Sequence, residues 1–135
     1  MATNQDYKTL SGRIANSTGL ATSQFLGIKI ASTAGQAVLS GALNSTTGPG
    51  GFFGVLMNAP AGGEEVEFAY EGIVKLIAAT STIAVGDRVG LNSTSKATDA
   101  ATTDNVFFLG RALTAASAAN DIITVSLVGN GGARY

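Results

Sequence analysis

Cysteine, histidine and tryptophan are all absent from the 135 residues, and charge is scarce. Without cysteine no disulfide can form, and without cysteine or histidine the commonest zinc ligands are gone, so no structural zinc is expected. The same absences narrow the chemistry. Nucleophilic or acid–base catalysis would have to rest on Asp, Glu, Lys, Ser, Thr or Tyr. No serine stands in a Gly-x-Ser-x-Gly elbow. Gly48-Pro49-Gly50-Gly51 lacks the Lys-Ser/Thr pair of a phosphate loop. Asp99 and Asp104 lie in a polar stretch without the regular oxygen spacing of a calcium loop. Glu65, Glu67 and Glu71 alternate with apolar residues, which makes them the wet face of a strand and not an acid–base or metal site. The sequence therefore offers no catalytic, cofactor-binding or metal-ligating residue, and an enzyme is not expected.

Eight basic and nine acidic residues leave a net charge of −1, so no electrostatic case exists for nucleic acid or an anionic membrane as partner. No 18-residue apolar window occurs; the most apolar stretch, from Gly72 to Val85, is broken by Lys75, Thr80, Ser81 and Thr82. No basic stretch leads into an apolar run near the first residue, so a secretory signal is not expected. Charged residues make up 13%, against about a quarter in ordinary soluble domains. Two readings follow. The surface is coated by Thr, Ser and Asn, or the faces are covered in an assembly, since the cores of protein contacts are depleted in Lys, Glu and Asp.

The chain is long enough for one compact domain. Residues 1–24 are polar and weakly patterned, and read either as a disordered tail or as an arm that orders against a neighbour. In the second reading the suspected interface anchors are Tyr7, Leu10, Ile14 and Leu20, docked on an exposed strand edge. From Phe25 the texture becomes that of strands. Phe25, Leu26, Ile28 and Ile30 form one, Ala34-Gly35 a turn, and Ala37 to Leu43 a further short segment. Asn44 to Gly51 is a loop, Phe52 to Met57 a strand, and Asn58 to Gly63 a turn. From Glu64 to Tyr70 the alternation puts Val66, Phe68 and Tyr70 on one face and Glu65, Glu67 and Ala69 on a wet one. Ile73 to Ala78 continues in the same style.

Ile83 to Val89 reads as strand, turn and strand start, with Gly86-Asp87 at a tight turn closed by the aspartate accepting backbone N–H groups. Asn92 to Thr103 is a polar loop, Val106 to Leu113 a strand, Ala115 to Asn120 a loop, and Ile122 to Val128 a closing strand. The two halves have the same layout. Gly54 and Gly110 stand 56 residues apart, as do Glu65-Val66 and Asp121-Ile122. Neither half is large enough to bury a core alone, so two duplicated units would pack as a barrel or sandwich. The expected organisation is an N-terminal arm at 1–24, an all-β domain at 25–129 with half-repeats at about 25–72 and 73–129, and a glycine-rich tail at 130–135. Gly54, Gly63, Gly86, Asp87, Gly110 and Asp121 are expected at structural turns.

Gly72-Ile73-Val74-Lys75, Ile83-Ala84-Val85-Gly86-Asp87-Arg88-Val89, Phe108-Leu109-Gly110-Arg111-Ala112-Leu113 and Asp121-Ile122-Ile123-Thr124-Val125-Ser126-Leu127 together resemble the tailed-bacteriophage capsid cement, or decoration, proteins. The resemblance covers roughly residues 25–129; the long Asn44–Gly51 insertion and the polar arm depart from it. It implies a small β-barrel or β-tulip-like domain on the outer surface of the capsid in the virion, often as a homotrimer. Its partner would be the major capsid protein, and it would stabilise the expanded shell without a cofactor. Two other readings remain beside it. One is a head-fibre base or tail-associated virion module with the Gly/Ser/Thr loops as tips. The other is a free carbohydrate-binding module, which would need aromatic platforms beyond Tyr7, Tyr70 and Tyr135.

Overall fold

The structure is a computed structural model; it describes residues 7–10, 15–16, 19–33, 35–42, 52–100, 107–128 and 133–134. Their regular structure is all strand: β1 (Tyr7–Leu10), β2 (Ala15–Asn16), β3 (Gly27–Ile30), β4 (Gln36–Leu39), β5 (Phe52–Leu56), β6 (Phe68–Ile77), β7 (Arg88–Leu91), β8 (Ala97–Asp99), β9 (Phe107–Phe108), β10 (Gly110–Ala112), β11 (Ile122–Leu127) and β12 (Ala133–Arg134). Ten of them form one sheet in the order β2-β4-β3-β5-β6-β11-β10-β7-β8, with β1 also paired to β6; β9 and β12 pair separately. The protein is all-β, as the alternation and glycine-bounded runs imply.

The sheet curls on both sides of β6. Towards the C-terminal half, Ala97 at the start of β8 bridges back to Ala78 just past β6, so β6, β11, β10, β7 and β8 return on themselves. Towards the N-terminal half, β1 and β5 both oppose residues 68 and 69 and so lie on opposite flanks of β6. Between β1 and β2 lie five strand spacings, about 24 Å if the sheet were flat. The chain from Leu10 to Ala15 reaches only about 18 Å when fully extended. Curvature has to make up the difference.

Two cores follow from the period of two. Val55 opposite Ala69 and Leu56 opposite Phe68 are consecutive cross-strand pairs, so they point to opposite faces. Leu56 and Phe68 join Leu20, Ile28, Ala37 and Val66 in one core. Val55 and Ala69 join Val74, Leu76, Ile83, Val89, Leu91, Leu109, Ile123 and Val125 in the other. Ala69 and Val74 differ in parity yet share a core, so β6 must change sides between them. It does so at a bulge: Thr9 of β1 faces Ala69 and Lys8 faces Glu71, which leaves Tyr70 as the extra residue, with Gly72 following at φ 96°.

Several local expectations change. Ala69 is fully buried and not on a wet face, because β5 and β6 are covered on both sides. The strand begins at Phe68, and it runs unbroken through the expected half-repeat boundary at 72/73. Phe25 is no strand residue: its φ is 66°, its N–H donates to Leu56 O and its carbonyl accepts from Ile77 N–H. β8 lies inside the expected polar loop 92–103; Thr98 and Asp99 pair with Gly90 and Val89, and backbone pairing there needs no apolar side chain. The expected strand 106–113 is split into β9 and β10, and the tail contributes β12. The expected loop at 44–51 lies outside the described residues, and so does Ile14.

Leu20 requires a correction. Expected as an anchor on a neighbouring subunit, it is fully buried among Ile28, Leu56 and Phe68 of its own chain. Around it, Ser23 N–H donates to Leu20 O, Leu26 N–H to Ser23 O, and the Gln24 side chain to Met57 O. Residues 19–24 therefore belong to the folded body. Truncation of Leu20 to Ala should cost about 2–5 kcal/mol, read as a lower denaturation midpoint at unchanged m-value. A variant as stable as the parent would return this segment to the surface.

Gly54 and Gly110 sit inside β5 and β10, not at turns, and each is needed for close approach of backbones. A Cβ on Gly54 would lie 2.6 Å from Ala69 O and 2.9 Å from the Phe68 ring. One on Gly110 would collide with Ser126 O and lie 2.8 Å from its carbonyl carbon. The obstacle at Gly110 is the backbone of β11, which cannot move without parting the sheet. Gly110→Ala should destabilise by about 3 kcal/mol or more. Gly62→Ala, with nothing within 4 Å of the added carbon, should stay within about 0.5 kcal/mol of the parent.

Candidate functional site

The turns that carry the quoted motif are built by carboxylates. At 84–87 the chain reverses with Gly86 at φ 90°, and Asp87 Oδ2 accepts the Ala84 N–H at 2.8 Å. Gly86 N–H donates to Ala112 O and its carbonyl accepts from Arg111 Nη1, so the turn is tied down on β10. Asp121 does the same for 117–121: Oδ2 accepts from Ser117 N–H, Ser117 Oγ and Ala118 N–H, all within 2.9 Å. Those donors, the serine hydroxyl first, hold the Asp121 carboxyl below its usual range. Gly63 completes the β5–β6 turn at φ 81°, with Glu64 Oε2 accepting Ala61 N–H. Gly63, Gly86, Asp87 and Asp121 thus sit in or close these turns.

A small charged group lies at the other edge. Arg88 is buried with its guanidinium 5.7 Å from the centroid of the Phe108 ring. Asp99 is pushed up, chiefly by burial, next by the Asp87 charge, with Arg88 pulling the other way. Among the described residues no three His, Cys, Asp or Glu side chains group so as to hold a metal ion.

The surface best suited to a contact is the outer face of β6, β11 and β10, behind the C-terminal core. With Val74, Leu76, Ile123, Val125 and Ala112 turned inward, the intervening positions face out: Ile73, Lys75 and Ile77 on β6, Ile122, Thr124 and Ser126 on β11, and Arg111 followed by Leu113 beside β10. Leu113 N–H continues the ladder to Thr124 O. Ile122 is 56% exposed, Leu113 43% and Ile73 39%. Three large apolar side chains, with Lys75 and Arg111 as the charged groups among them, form a face that fits another protein.

The expected anchors do not gather there. Tyr7 and Leu10 lie on β1, paired to β6 of the same chain. Sequence reasoning also missed Ser95. It is fully buried, its carbonyl accepts from Gly27 N–H and its Oγ from Gly41 N–H, so it fastens the β7–β8 turn to the N-terminal half. A serine in Asn-Ser-Thr-Ser-Lys carries no sequence signal for such a role.

Asp121 gives a pH prediction. A carboxylate whose folded value is lowered stabilises fully above the ordinary value of 3.8, and the gain vanishes as pH falls through its own lower value. Asp121→Ala should melt below the parent at neutral pH, and the gap should close only under strongly acid conditions. A gap that persists unchanged in acid would mean that the charge plays no part.

A search of curated proteins finds no match. The sequence profile described as phage cement protein matches residues 5–127, which span β1 to β11. That membership makes the protein a structural component associated with the virion and not an enzyme. The match covers most of the chain, and the chain belongs to the phage cement protein family.

Proposed function

We propose that this protein binds the outer surface of a phage head as a homo-oligomer, a trimer in the simplest case, contacts the major capsid protein, and stabilises the expanded shell. The observation that carries the reading is the family match across nearly the whole sheet. The outer face of β6, β11 and β10 supports it, as does the low charge of the chain. A head offers many identical sites, so modest contacts made by each copy to more than one neighbour reinforce one another.

The same reading takes the fold as a duplicated, β-tulip-like unit. β4-β3-β5-β6 and β8-β7-β10-β11 have the same order, and in each the third strand carries a glycine opposite the second residue of the second strand, Gly54 to Ile28 and Gly110 to Val89. Both glycines also abut a carbonyl of the fourth strand, Ala69 and Ser126.

The test mixes purified protein with expanded and unexpanded heads of its phage. Saturable binding to expanded heads, a raised disruption temperature and copies spread over the head in micrographs are expected. Binding to neither form, or copies confined to one vertex, would overturn the proposal.

A further inference from the structure

We propose that the outer face of β6, β11 and β10 receives the β5–β6 turn of a second copy, in a head-to-tail contact. This rests on the reading above that the protein self-associates. The face carries Ile73, Leu113 and Ile122 exposed, half-buried Ile77, and the cations Lys75 and Arg111; none of its outward positions is a carboxylate. The nearest carboxylates in sequence lie at its ends: half-buried Glu71, two residues before Ile73, and Asp121, whose oxygen is turned into its own loop. The β5–β6 turn has the opposite character. Glu64 and Glu65 are exposed, Glu67 is half-buried, and no cation lies between Asn58 and Glu71.

The turn is held in shape from within. Asn58 Oδ1 accepts Glu67 N–H, Asn58 Nδ2 donates to Glu65 O, and Glu64 caps Ala61 N–H. Glu65 is exposed on a loop whose backbone is already ordered, which lowers the cost of presenting it. The two patches cannot satisfy each other within one chain. Eight residues of strand separate Glu67 from Lys75, about 26 Å, well beyond the screening length of about 10 Å at moderate salt. A molecule acidic at one end and basic-apolar on a distant face is matched by another copy of itself. Such a contact uses two different patches, so repetition closes into a ring or continues as a chain. A curved shell site selects the ring.

Sedimentation and native mass measurements on the full chain test this, with Lys75→Glu, Glu65→Lys, the double variant and Ile122→Thr beside the parent. All three positions of change are exposed, so melting temperatures should match the parent. Each single charge reversal should weaken self-association about tenfold, and more at low salt than at high. The double variant should recover most of the loss, and Ile122→Thr should weaken association without altering its salt dependence. A parent that associates while the reversals change nothing would overturn this interface and leave self-association standing. A parent that stays monomeric both free and on heads would overturn both. Reversals that spare self-association but abolish binding to heads would assign the face to the capsid protein and reject a second copy.

Discussion

Both flanks of β6 are bonded and both of its faces are used, at different points along ten residues. β5 and β1 hold its start, and β11 holds residues 72 to 77 through six consecutive pairs. The N-terminal core rests on Phe68 and the C-terminal core on Val74 and Leu76. One strand can serve two cores only if its inward side changes, and that depends on the bulge at Tyr70. Without that extra residue Val74 and Leu76 would turn outward, and Gly72 beside it, at φ 96°, admits a side chain only at a cost of about 1–2 kcal/mol. The remaining strands are placed by this one constraint.

The halves are also joined away from β6. Gly27, Ser40 and Ser95 meet where the β7–β8 turn reaches the β3–β4 hairpin: Ser40 N–H donates to Gly27 O, and Ser95 O accepts Gly27 N–H. Gly27 has no room for a side chain because Leu91 and Ser40 Oγ occupy it. Phe25, strained at φ 66°, spans Leu56 and Ile77 and so ties the end of β5 to the far end of β6. These bonds restrain the N-terminal half from swinging on β6, as two halves joined by one strand otherwise would.

What the sequence displayed clearly was what local period and turn chemistry encode. Ile123, Val125 and Leu127 point inward as alternation requires, and Asp87 closes its turn as an aspartate beside glycine should. Errors arose where tertiary contact decides. Ala97-Thr98-Asp99 looks like loop because Thr98 and Asp99 are polar and the one buried residue, Ala97, gives no period to read. Leu20, isolated among polar residues, gives no period to read, yet its partners Leu56 and Phe68 come from far along the chain. Gly54 and Gly110 are legible as two glycines 56 residues apart but not as close-approach positions, since only the register of the next strand reveals what a Cβ would strike. The exposed face was hidden for the same reason: Ile73, Leu113 and Ile122 look like core residues until their neighbours have filled the inside.

That hidden face bears on how such a protein attaches. An arm adding a strand to a neighbour needs an open edge with unpaired N–H and C=O groups. Here β8, the last strand of the sheet, is bridged at Ala97 to Ala78, with Ala79 N–H donating to Ala97 O as well. The flank of β6 beside its first residues, which an arm from another copy could have entered, is taken by the chain's own β1. Curling has thus removed these two edges from strand addition, and the exposed side chains of β6, β11 and β10 offer a different kind of contact. A side-chain contact depends on shape and charge match and resists wrong partners through its cations, whereas an open edge accepts almost any extended chain. Contact through a face is therefore the more selective arrangement, and Lys75 in the middle of the apolar residues adds a charge that a partner must match.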